Sequence, residues 1–124
     1  MAEKKRILIV EDDESLKKIM VHTLRAENLE VLEAGNGEEG LKMALEEKPD
    51  LVLLDIVLPG MDGLAVLKKL REDSRGKDIP VITLTNLGDI KTVSEALAHG
   101  ASDYLIKSEW KLDDLVRKVK EKVK

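Results

Sequence analysis

Four stations along this 124-residue chain carry side chains suited to chemistry: the acidic run Glu11-Asp12-Asp13, the lone Asp55, the hydroxyl of Thr85 and the ammonium of Lys107. Each closes or directly follows a short apolar run. Carboxylates gathered in one place repel one another, and each costs free energy to desolvate. A divalent cation relieves both costs, and an all-oxygen donor set suits Mg²⁺. Asp55 would then keep an oxygen able to attack phosphorus and carry a phosphoryl group as an aspartyl phosphate. Lys107 as a point charge, the Thr85 hydroxyl and backbone N–H groups would serve as donors to the phosphoryl oxygens. Simpler roles compete. Asp13 is read as the cap of the helix that follows, whereas Glu11 and Asp12 have partners that favour a site. Thr85 could be an ordinary strand-end residue, and Lys107 a solvated one.

The elements that must position these residues alternate in period. Ile7–Val10, Leu51–Leu54 and Val81–Leu84 are continuous apolar runs of strand length, as expected for parallel strands buried on both faces. Weaker strands read Val31–Ala34 and Tyr104–Ile106. Between them lie helical faces: Leu16, Ile19, Met20, Thr23 and Leu24; then Leu41, Ala44 and Leu45; then Leu64, Val66, Leu67 and Leu70. Val93, Ala96 and Leu97 mark the fourth, and Leu112, Leu115, Val116, Val119 and Val123 the last. Asn36-Gly37, Pro49-Asp50, Pro80 and Gly100 punctuate the boundaries. Five strand–helix repeats imply a parallel sheet covered on both faces, a single-domain α/β doubly wound fold over residues 1–124. The strand order 2-1-3-4-5 is taken by analogy with other folds of this kind. Ligands of such sheets bind outside the carboxyl ends of the strands, where all four stations fall.

Composition narrows the function. A net charge of −4 argues against nucleic acid as the main partner. The absence of cysteine excludes disulfides and thiol chemistry, and two histidines make a zinc site improbable. No apolar run approaches the roughly 20 residues that span a bilayer, so no membrane partner and a cytoplasmic location are expected. Phe is absent, and Tyr104 and Trp110 are the only aromatic residues, so the core must be aliphatic. His22 reads as a plain helix residue, and His99 as a helix C-terminal residue that suits the dipole. The basic residues from Arg117 to Lys124 read as a solvated helix face. Trp110 is balanced between covering the core and meeting a partner.

The segments ILIVEDDESL (residues 7–16), LVLLDIVLPGMDG (51–63), PVITLT (80–85) and GASDYLIK (100–107) resemble the receiver domain of two-component response regulators, the CheY-like, flavodoxin-like (βα)5 sandwich. The resemblance runs from residue 5 onward, with four motifs in order and at matching spacing. It implies that Asp55 is the phosphoacceptor, loaded by a sensor histidine kinase or phosphotransfer protein. Glu11, Asp12, Asp55 and the backbone carbonyl of Val57 would bind Mg²⁺, and no other cofactor is implied. Lys107 would pair with the phosphoryl group. Thr85 would bond to it and draw Tyr104 inward, switching the surface of helix 4, strand 5 and helix 5 toward a downstream protein. The protein would be a stand-alone signalling receiver rather than an enzyme, a monomer or weak dimer. Asn86, Ser108 and a loop one residue longer, Ser108–Lys111, depart from the family pattern. Val57 and Leu87 are apolar where fast-cycling members carry polar groups, so slow self-dephosphorylation is expected.

Other functions fit less well. A haloacid-dehalogenase-type phosphatase needs Asp-x-Asp at the end of the first strand, where Glu11 stands, and a cap for which the chain lacks room. A flavodoxin needs stacking aromatics that are missing. No Gly-x-Gly-x-x-Gly or Walker A pattern occurs. A receiver-like module that no longer phosphorylates is a further alternative of the same fold.

Overall fold

The computed structural model describes residues 4–85, 90–107 and 111–123. These residues build strands β1 (Arg6–Val10), β2 (Glu30–Ala34), β3 (Leu51–Asp55), β4 (Val81–Thr85) and β5 (Asp103–Ile106). Helices α1 (Glu14–Arg25), α2 (Gly37–Glu47), α3 (Gly63–Glu72), α4 (Ile90–Ala98) and α5 (Leu112–Lys122) alternate with them. All strand pairs are parallel, in the order β2-β1-β3-β4-β5. This is the order taken by analogy from the sequence.

Burial on both faces explains the unbroken apolar runs. Every residue of β3 and β4 is buried. Ile7, Ile9, Leu51, Leu53, Ile82, Leu84 and Leu105 pack with Met20, Leu24, Leu115 and Val119 of α1 and α5. Leu8, Val10, Val52, Leu54 and Val81 face the other way, against Ala44, Val66, Leu67, Leu70 and Ala96 of α2, α3 and α4. Both cores are wholly aliphatic, as the scarcity of rings requires.

Helix boundaries follow local chemistry. Asp13, Asn36 and Asp62 cap α1, α2 and α3, each side chain accepting backbone N–H bonds from the first turn. Gly100 adopts φ +96° just after α4, a conformation that favours glycine.

Three strands run one residue longer than expected, taking in Arg6, Glu30 and Asp103, while β3 and β4 end in Asp55 and Thr85 as expected. The face of α1 also differs. Its buried stripe is Lys17, Met20, Val21 and Leu24, while Ile19 is 50% exposed. The spacing i, i+3, i+4, i+7 from Lys17 defines that stripe, and residue 19 falls off it. Lys17 buries its aliphatic stem and places its Nζ 2.9 Å from Glu14 Oε1. Leu97 and Leu112, also expected in the core, are exposed.

Candidate functional site

The strand order reverses beside β1, which in a sheet of this kind makes a crevice at the carboxyl ends of β1 and β3. The parallel registers Val10↔Leu54, Asp55↔Leu84 and Thr85↔Ile106 bring the ends of β1, β3, β4 and β5 to this one edge. Glu11 follows β1 directly, and its backbone N–H donates to the Ala34 carbonyl at 3.1 Å, so it is held against β2 as a strand residue would be. Its side chain is fully buried. Asp12 is exposed. Asp13 turns away to its capping role, Oδ1 accepting from Ser15 N at 3.0 Å and Leu16 N at 3.1 Å. The capping role of Asp13 matches expectation.

Asp55 closes β3 and is 2% exposed. Its Oδ1 accepts the Val57 N–H at 3.1 Å and its Oδ2 accepts Lys107 Nζ at 2.7 Å. Lys107 leaves β5 anchored by its own N–H on the Thr85 carbonyl at 2.7 Å. Its Nζ also lies 2.9 Å from Glu11 Oε1. This second contact is an ion pair by distance alone, because among the described residues Glu11 Oε1 has no partner in hydrogen-bond geometry. Carboxylate oxygens of Glu11, Asp12 and Asp55 all lie within 4.8 Å of one another.

Three carboxylates thus face one ammonium. Burial, reinforced by Asp55, raises the Glu11 carboxyl above its ordinary value despite Lys107. Lys107 is pulled down by burial, but its contacts with Asp55 and Glu11 outweigh this and leave it raised. A buried Glu11 carboxyl that shares its one ammonium neighbour with Asp55, beside the further acid Asp12, is a donor set that fits a hard divalent cation.

Thr85 ends β4 one residue past the register partner of Asp55. It is buried, and its hydroxyl lies at a long 3.5 Å from the Leu105 carbonyl that it faces. Tyr104 sits beside Thr83 in register, on the sheet face that also carries Thr85. Its ring is 37% exposed, with Lys118 Nζ 6.0 Å from the ring centroid. Lys118 is itself tied to Asp103 at 2.8 Å. Val57 is exposed. Asn86, Leu87, Ser108, Glu109 and Trp110 lie outside the described residues.

Sequence reasoning assigned no role to Gly63. A Cβ there would stand 2.2 Å from the Asp55 carbonyl oxygen and 2.6 Å from Ile56 Cα. The first turn of α3 therefore presses on the backbone of the acid itself. The only signal for this was an Asp-Gly pair at the start of a helix.

The doubly wound sheet and its acid-lined crevice define a class of small α/β domains, and comparison with known proteins makes the class definite. Residues 7–120 match the model of the response regulator receiver domain. The chain is 39% identical over 121 residues to the DNA-binding response regulator MtrA of Mycolicibacterium paratuberculosis, covering 98% of this chain and 52% of that one. A putative response regulator from Chloroflexus aurantiacus superposes with a TM-score of 0.92 at 34% identity, covering 98% of each chain. The receiver domain of a Pseudomonas aeruginosa sensor histidine kinase, whose structure holds a magnesium ion coordinated in the active-site cleft, superposes at 0.89 with 26% identity, covering 98% of each chain. The chain belongs to the response regulator receiver domain family. It spans between 40% and 52% of the length of the curated relatives it matches. The expectation of no nucleic-acid partner finds no support among them, since MtrA is named as DNA-binding. Among the described residues no helix is long and apolar enough to cross a membrane.

Proposed function

We propose that Asp55 accepts a phosphoryl group from a phosphohistidine on a sensor kinase or phosphotransfer protein, and that the domain then signals to a downstream protein. The observation that carries this reading is the buried Asp55 carboxylate held between Lys107 at 2.7 Å and the acids Glu11 and Asp12. An Asp55 oxygen attacks phosphorus and the bond from phosphorus to the donor imidazole breaks, the freed nitrogen taking a proton from solvent. Lys107 then offers its ammonium to the transferred group, having lost the free carboxylate it paired with. Glu11, Asp12, Asp55 and the Val57 carbonyl are the residues that would hold Mg²⁺. When bound, the cation offsets the charge of both the carboxylates and the incoming phosphoryl oxygens.

Thr85 supports the switch reading because, among the described residues, its hydroxyl has only a long contact to surrender. Tyr104, exposed on the same sheet face, has room to change rotamer, which would alter the surface of α4, β5 and α5. On this reading residues 1–124 form one cytoplasmic receiver domain, monomeric or weakly dimeric, that transfers a phosphoryl group only to and from itself.

Intact-mass measurement after incubation with acetyl phosphate and Mg²⁺ tests the proposal. One phosphoryl adduct is expected for the wild type and none for Asp55→Asn. The absence of any adduct in the wild type would leave a silent module of the same fold, and steady turnover of phosphate esters would indicate a phosphatase.

A further inference from the structure

Segment 56–62 leaves the acceptor strand and carries the Val57 carbonyl, so its placement decides whether the acids and that oxygen can share one cation. Two glycines hold it from opposite sides. Gly63 approaches the backbone of Asp55 and Ile56, and its N–H donates to the Ile56 carbonyl at 2.8 Å. Gly37, the first residue of α2, lies 18 positions before Asp55 in sequence and touches the far end of the segment. A Cβ on Gly37 would stand 2.0 Å from the Met61 carbonyl oxygen and 3.0 Å from Val66 Cγ2. The obstacle is backbone rather than the end of a flexible side chain, so any side chain at 37 must displace either α2 or the segment.

We infer that Gly37 is a positioning residue for the divalent cation: its bare Cα lets the first turn of α2 press on Met61 and fix the loop that carries the Val57 carbonyl. The α2 turn is itself anchored, with Asn36 Oδ1 accepting from Glu39 N at 2.8 Å and Gly40 packed on Val10. The strain of any side chain at 37 then bears on segment 56–62, whose two ends are tied by Ile56 N on the Leu84 carbonyl at 3.2 Å and by the Asp62 cap of α3, leaving Met61 and the residues before it to shift. Gly37 is buried and its tightest contact is the Met61 carbonyl, with Val66 of α3 farther off, so its effect would be exerted chiefly through the loop.

The inference rests on the proposed cation site, and calorimetric titration of the full chain with MgCl₂ separates the two. Gly76→Ala serves as the steric control, because a Cβ there crowds Leu70 at 2.4 Å and 2.7 Å at the other end of α3. Gly37→Ala is expected to bind Mg²⁺ about 10-fold more weakly or worse, the scale of an outer-shell loss, with Gly76→Ala within about twofold of wild type. With acetyl phosphate, the Mg²⁺ needed for half-maximal labelling of Asp55 should rise by the same factor, while the rate at saturating Mg²⁺ is kept. Unchanged affinity in Gly37→Ala, or equal weakening in both variants, overturns the inference. If Gly37→Ala does not fold, hydrogen exchange of the wild type decides: Mg²⁺ should slow exchange in 56–62 and in 37–39 together, and protection confined to 56–62 overturns it. A wild type that binds Mg²⁺ and labels, beside an unaffected variant, refutes the role of Gly37 alone. A wild type that does neither refutes the function as well.

Discussion

Two threonines two residues apart on β4 differ in one respect that a single methyl can expose. Thr83 is fully buried, and its Oγ1 has no hydrogen-bond partner among the described residues. It points into the aliphatic layer between the sheet and α2, α3 and α4, the same side as Val81. A buried hydroxyl left unpaired costs about 1–3 kcal/mol. Thr83→Val keeps the branched shape and the strand preference, and replaces the oxygen with a methyl group whose burial contributes up to about 0.8 kcal/mol. Steric adjustment in a close-packed layer offsets part of the gain, leaving a net stabilisation of about 1–2 kcal/mol. For a domain of this size that corresponds to a rise in Tm of about 4–8 °C. Urea unfolding followed by circular dichroism would show a higher midpoint at unchanged slope. Labelling by acetyl phosphate should be untouched, since Thr83 lies two residues below the strand end. A midpoint equal to or below the wild type would refute the claim that this hydroxyl is an unpaid desolvation cost.

Two further outcomes follow from the charges of the crevice. Lys107→Met leaves Glu11 and Asp55 buried without their counter-ion and should lower stability at neutral pH by roughly 2–3 kcal/mol, a deficit that Mg²⁺ narrows. Because the folded-state value of Lys107 is raised, its contribution is present below the ordinary 10.5 and is lost as pH climbs through the raised value. The wild type and the variant should therefore converge in alkali, and equal urea midpoints at pH 7 would contradict the pairing. Glu11 has the opposite consequence: its carboxyl is raised above 4.5 by burial and then by Asp55, so in the absence of cation its ionisation weakens the fold as pH rises through that window. Mg²⁺ requires the ionised form, so its affinity should fall as pH drops through a value above 4.5, with a proton displaced on binding. Calorimetry in buffers of differing ionisation heat counts that proton, and affinity that stays flat down to pH 4.5 would argue against Glu11 as a ligand.

The sequence by itself determined the alternation of elements, because strands buried on both faces must be continuous apolar runs and covering helices must not be. It also placed Glu11, Asp55, Thr85 and Lys107 at strand ends, since each is chained to its apolar run by one or two peptide bonds. The capping role of Asp13 was legible for the same local reason. What lay beyond reach depends on contacts between residues far apart in the chain. The apolar letters of α1 do not say that Lys17 goes in and Ile19 stays out; the direction in which the helix meets the sheet does. Gly37 and Gly63 look alike as glycines near helix starts, and only the layering of α2 and α3 shows what each presses on. The pairing of Glu11 Oε1 with Lys107, 96 residues on, likewise appears once the ends of β1, β3, β4 and β5 stand at one edge. Asp55 could be read as an acid at the end of a buried strand, but its single ammonium and its surplus of negative charge were decided by tertiary structure. Register and layer packing join residues that no local pattern couples.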